Sequence, residues 1–134
     1  MFQLALSRLP DFAMFFGAAL GLVAAYLAIY TLATSHNEFG LIRNNNTAAA
    51  VSLGLSLIGF ALPLSSAVVN STSVIDLLVW GVVAIVVQLF VYWLVRLALP
   101  NLSERIAAGE LAAALFLGSA SLAAGVINAA AMTF

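Results

Sequence analysis

Residues 77–95, LLVWGVVAIVVQLFVYWLV, hold no charge between Asp76 and Arg96, and a single amide, Gln88. A helix rises about 1.5 Å per residue, so a stretch of this length crosses a hydrocarbon core of about 30 Å. Three further uncharged runs lie outside it, at 12–35, 44–75 and 111–134. The second exceeds one crossing; its usable part is 47–69, followed by the polar turn Asn70-Ser71-Thr72-Ser73. In lipid each backbone must satisfy its own hydrogen bonds, so segments of helical length become helices. The expected fold class is an all-α integral membrane protein with four transmembrane helices, forming a single membrane domain over 1–134.

Composition agrees. The chain is 65% apolar and 7% charged, against about 25% charged in soluble domains, and its mean hydropathy is +1.18. A net charge of −1 supplies no basic field for nucleic acid. Without cysteine there is no disulfide, iron–sulfur or thiolate zinc chemistry. The N-terminal segment does not read as a cleavable signal. Its first charge, Arg8, comes late, and the apolar run after Asp11 is longer than the 7–15 residues such signals use. It reads instead as the first span, with Phe2, Leu4, Leu6 and Leu9 lying on the membrane surface and Pro10-Asp11 starting the helix.

Arginines set the expected orientation. Arg43 lies between spans one and two, Arg96 and Arg105 bracket the connection between spans three and four, and the middle connection has no Arg or Lys. The positive-inside rule places the first and third connections in the cytoplasm and both termini outside, against the single opposing charge of Arg8.

The chain also resembles itself. Asn46-Thr47-Ala48-Ala49-Ala50-Val51-Ser52-Leu53-Gly54 aligns with Glu110-Leu111-Ala112-Ala113-Ala114-Leu115-Phe116-Leu117-Gly118 at an offset of 118 − 54 = 64 residues. The same offset pairs Ile42 with Ile106, Gly17 with Gly81 and Phe16 with Trp80. This predicts two helical hairpins, repeat 1 over about 12–70 and repeat 2 over about 76–134. With an even number of spans each, they form a parallel repeat about an axis along the membrane normal.

Two stretches carry a family resemblance. One is Asn46-x-Ala48-Ala49-Ala50, continued by Leu53-Gly54 and Gly59-Phe60-Ala61-Leu62-Pro63. The other is Ala108-Gly109-Glu110-Leu111-Ala112-Ala113-Ala114, then Phe116-Leu117-Gly118 and Gly125-Val126-Ile127-Asn128-Ala129-Ala130-Ala131-Met132. Together they resemble the DUF350 family, also called UPF0719, the YjfL-like inner-membrane proteins of bacteria. One departure is Asn45, where a glycine is expected before the span-two asparagine. The resemblance implies a multi-pass protein of the bacterial inner membrane with a four-span, twice-repeated architecture, which puts the outward termini in the periplasm. It carries no established activity.

Candidate residues each admit two readings. Glu110, at the first turn of span four, is a cap interacting with the helix N-terminus, or an ion- or proton-binding carboxylate facing its repeat partner Asn46. Ala114, Gly118, Ser121, Gly125 and Asn128 share one helix face. That face reads as close packing with an interhelical hydrogen bond, or as the polar lining of a narrow pathway. Gln88 shares a face with Gly81, Ala84 and Tyr92, where a mid-membrane amide bonds a neighbouring helix or another copy of the chain. Gly17 and Gly21, continued by Ala24 and Ala28, form a small-residue stripe for helix association, and Gly54 matches Gly118 by the repeat. Ser52 and Ser56 are expected to bond the carbonyl four residues back, and Pro63 to kink or end its helix. Trp80, Tyr92, Trp93 and Phe134 read as interfacial aromatics. His36 with Glu38 falls short of a metal site.

No metal, cofactor or enzymatic site is expected from these residues. The expected function is an accessory, interaction or structural membrane subunit, set in the lipid bilayer with copies of itself or other membrane proteins as partners. The alternative is a small oligomeric ion or solute channel or transporter using Glu110 and Asn46.

Overall fold

The computed structural model describes residues 2–34 and 37–132. The expectations for Ser35, His36 and Phe134 fall outside the described residues. The elements are α1 (Phe2–Ser7), α2 (Leu9–Ala33), α3 (Glu38–Arg43), α4 (Thr47–Asn70), α5 (Val74–Ala98), α6 (Leu102–Ala107) and α7 (Leu111–Ala131). Four helices are long and apolar enough to cross a membrane: α2 together with α1, α4, α5 and α7. Three of them fall within the uncharged runs, apart from Asp76 and Arg96 at the ends of α5, and the first extends N-terminally past Asp11 and Arg8. The helix starts earlier than Pro10-Asp11: α1 leads into α2 with only Arg8 between them, and Arg8 itself keeps right-handed helical angles. Pro at the second position of α2 costs little, because the first amides of a helix lack intrahelical partners anyway.

Polar caps set the other starts. The Ser73 hydroxyl accepts from the Asp76 amide at 3.1 Å while the Asp76 carboxylate accepts from the Thr72 amide at 3.3 Å, which closes the turn before α5. Asn37 caps α3 by accepting from the Gly40 amide. Pro63 does not end α4, which runs seven residues further, to Asn70. The proline is buried, where neighbouring helices compensate for the missing amide and let the helix continue.

Helices α4 and α7 make the most extensive contact in the bundle, and α5 packs against both. Helix α2 leans on α5 and α4 and makes no comparable contact with α7. The faces follow helical spacing. On α4 the buried side runs through Ala49, Ser52, Ser56, Gly59, Pro63 and Ala67, and on α5 through Leu77, Gly81, Ala84, Gln88, Tyr92 and Val95. The α2 face is Leu22, Tyr26 and Tyr30, with the Leu22 side chain seated where Gly81 lacks a Cβ. Gly17, Gly21, Ala24 and Ala28 therefore point away from the bundle. Open space surrounds the Cβ positions of Gly17 and Gly21, and the same holds at Gly54. Among the described residues, no atom of another element lies within 4 Å of a Cβ built on any of the three, although Gly54 is half-buried.

Local geometry recurs at the offset of 64. The short helices α3 and α6 each have six residues and precede α4 and α7 in the same way. Asn45 and Gly109 both adopt positive φ, 66° and 86°. The amides of Asn46 and Glu110 donate to Leu41 and Arg105 at 2.9 and 3.0 Å. Asn45 takes the place of glycine because asparagine tolerates left-handed backbone. Gly109→Ala should cost about 1 kcal/mol, and Asn45→Gly should be neutral or slightly stabilising. Thermal unfolding in detergent separates the two.

Candidate functional site: a buried polar array

The interior of the bundle is lined by hydroxyls and one amide on its apolar helices. All three tyrosines of the chain meet there. Tyr26 and Tyr30 lie one turn apart with ring centroids 5.6 Å apart, and Tyr30 meets Tyr92 edge-on at the same separation. Tyr26 stacks on Phe60 at 4.4 Å. Tyr92 is thus buried between helices rather than at the interface, because the face that carries Gln88 also carries Tyr92. The Ser56 hydroxyl donates to the Tyr30 hydroxyl at 3.2 Å, a contact across helices in place of the expected bond back along α4. Ser52 does bond back, to the Ala49 carbonyl three residues earlier. Tyr26 reaches the Ser56 carbonyl at 3.5 Å. Deeper in, the Gln88 amide nitrogen donates to the Ser121 carbonyl at 3.2 Å, and its oxygen has no hydrogen-bond partner among the described residues.

Glu38 closes this array at the connection end. It is the first residue of α3 and only 1% exposed, and both α2 tyrosines lie within reach of its charge. A carboxylate buried near two phenols sets that end of the bundle apart from an apolar core. At about 1.5 Å per residue, Ser56 lies about 14 Å and Ser121 about 15 Å from the connection ends of their helices, so the array reaches roughly mid-membrane.

There the helices close on one another. A Cβ on Gly125 would collide with the Gly59 carbonyl, and one on Gly59 would stand 2.5 Å from the Ser121 carbonyl. At Gly118 the neighbour is the Leu55 side chain. Beyond the crossing lies a second polar group. The Ser66 hydroxyl donates to the Ala129 carbonyl at 2.9 Å, Asn70 donates to the Ser66 carbonyl, and the half-buried Asn128 has an amide nitrogen with no hydrogen-bond partner among the described residues.

Glu110 and Asn46 occupy matching N-cap positions, but their side chains bond elsewhere. Asn46 accepts from the Ala49 amide at 2.9 Å and donates to the Ala107 carbonyl at 3.1 Å, which ties the start of α4 to the end of α6. Glu110 makes no cap hydrogen bond and pairs with Arg105 at 3.4 Å, half exposed, a type of pair that contributes little. Asn46→Ala removes a cap and an interhelical bond together. It should cost about 1–2 kcal/mol, read as a lower unfolding temperature, whereas Glu110→Gln should leave that temperature nearly unchanged. Trp80 is half-buried against the core, and Trp93 lies exposed beneath Arg96 at 5.8 Å.

Sequence reasoning missed Glu38, Tyr26 and Tyr30. The available signal was the spacing Leu22, Tyr26, Tyr30, a single stripe at four-residue steps.

Four apolar helices enclosing a polar interior define a polytopic membrane protein. Comparison places it more closely: the profile of the Domain of Unknown Function (DUF350) family matches residues 3–132, and the chain belongs to that family. It is 45% identical over 129 residues to the UPF0719 inner membrane protein YjfL of Escherichia coli strain K12, covering 96% of this chain and 98% of that protein. The protein of the same description from E. coli O157:H7 matches to the same extent. No solved structure matches. The chain is a bacterial inner-membrane protein with four candidate spans.

Proposed function

We propose that this protein is an interaction or structural subunit of the inner membrane, not an enzyme, and that its polar interior fixes one packing of its helices. The observation that carries this reading is the α4–α7 crossing, where backbone meets backbone at Gly59 and Gly125 and leaves no space between these two helices. Interhelical hydrogen bonds in lipid contribute about 0.6–2 kcal/mol each, enough in number to select a packing. The outward stripe of Gly17 and Gly21 then serves association with copies of the chain or with other membrane proteins. The recurrence of α3 with α6, and of Asn45 with Gly109, supports two parallel-repeat hairpins. Arginine placement supports a cytoplasmic connection end, with both termini periplasmic.

A second reading, ion or proton movement, is favoured by the buried Glu38 beside the tyrosines, since ionisable groups at membrane depth commonly mark ion pathways. In this reading Glu38 replaces Glu110 and Asn46 as the working group. Purified protein in liposomes separates the two readings. The first expects no proton or cation flux above that of empty vesicles, together with a stable oligomer or a stoichiometric partner on purification. Flux that Glu38→Gln or Tyr30→Phe abolishes would replace it with the second.

A further inference from the structure

The geometry points to a binding site for an amine-bearing phospholipid headgroup at the connection end of α5. A cavity of about 190 Å³ opens there, lined by Arg96, Asn101, Leu102, Ser103 and Glu104. Arg96 ends the third span, at the depth where headgroups begin. Its wall carries one cation and one anion. Among the described residues neither Arg96 nor Glu104 forms an ion pair; the ion pair nearby joins Arg105 to Glu110 instead. Opposite charges that share a cavity without pairing fit a ligand that is itself a dipolar ion. A phosphate would accept from the Arg96 guanidinium and from the Asn101 amide, and a primary ammonium a few ångströms away would donate to the Glu104 carboxylate.

The surroundings favour a lipid over a free metabolite. Trp93 and Leu97 are exposed on α5 beside Arg96 and offer an apolar track for acyl chains, and the Trp93 ring under the guanidinium holds Arg96 at the interface. The floor is rigid: Leu102 is buried, and the Ser103 hydroxyl lies 3.4 Å from that of buried Tyr92.

The test is lipid retention by the detergent-purified full chain, read by native mass spectrometry after incubation with equal amounts of phosphatidylethanolamine, phosphatidylcholine and phosphatidylglycerol. Phosphatidylethanolamine should be retained at least five-fold over each of the others, since trimethylation blocks donation to Glu104 and glycerol lacks the charge. Arg96→Gln should lower retention of all three lipids, and Glu104→Gln should erase the ethanolamine preference without lowering phosphatidylglycerol. Both side chains are exposed, so unfolding temperatures should not move. Equal retention of the three lipids by the wild type, or unchanged selectivity in both variants, overturns the site. Free phosphoethanolamine at millimolar concentration should fail to displace the lipid; displacement would overturn the lipid as its occupant.

Discussion

Gly125→Val is expected to leave little folded protein. Its first side-chain carbon would meet the Gly59 carbonyl, a backbone atom that cannot rotate away. Helices α4 and α7 must part, and α7 also carries the Ser121 carbonyl to which Gln88 of α5 donates, so a shift of α7 strains that bond as well. Overpacking costs about 1–3 kcal/mol in soluble cores where side chains give way, and a backbone contact should sit at or above the upper end. The order should be Gly125 first, then Gly59, whose Cβ would stand 2.5 Å from the Ser121 carbonyl, and Gly118 last, because the Leu55 side chain can move. Gly17→Ala and Gly21→Ala meet open space among the described residues and should leave the protein's stability unchanged or raise it slightly through helix propensity. Size-exclusion recovery after a thermal challenge reads the whole series. A Gly125→Val protein as stable as the wild type would mean that α4 and α7 do not cross here.

Tyr26→Ala should be the second large effect, and its origin is packing rather than hydrogen bonding. The ring is fully buried and stacks on Phe60 at 4.4 Å. Lipid removes most of the hydrophobic gain for helix association, which leaves the cost of the void. At about 24 cal/mol per Å³, a ring-sized cavity of roughly 100 Å³ costs about 2–3 kcal/mol. The hydroxyl contributes a long bond to the Ser56 carbonyl at 3.5 Å and a side-chain contact with Ser121, so Tyr26→Phe should cost about 1 kcal/mol. Equal losses in the two variants would show that the hydroxyl, and not the ring, holds the array together.

Much of the fold was legible from charge spacing, because the uncharged run between Asp76 and Arg96 admits only one structure in lipid. The α7 face was legible too: Ala114, Gly118, Ser121 and Gly125 follow one stripe, and all are buried. The α2 face was not. Gly17 and Gly21 have the spacing of a packing motif, and small residues pack equally well inside a chain or between chains. Tyr26 and Tyr30 lie near a span end, where aromatic rings also settle at the interface, so position alone does not distinguish core from belt. Glu38 sits in a polar connection where exposure is the usual outcome. Its burial follows from α3 folding back onto α4, a tertiary contact with no local signature. Glu110 and Asn46 were placed correctly as matching helix starts, but side-chain direction took them to different partners.

The α4–α7 crossing underlies both the close packing of the bundle and the array, and the absence of native cysteine makes it directly measurable. Ser66 bonds the Ala129 carbonyl across the two helices, whereas Ser65, one residue earlier, faces outward. Oxidation of membranes carrying Ser66→Cys with Ala129→Cys should give rapid intramolecular cross-linking, and Ser65→Cys with Ala129→Cys should give little. Equal cross-linking of the two pairs, or none from the first, would contradict the crossing and the closed bundle built on it.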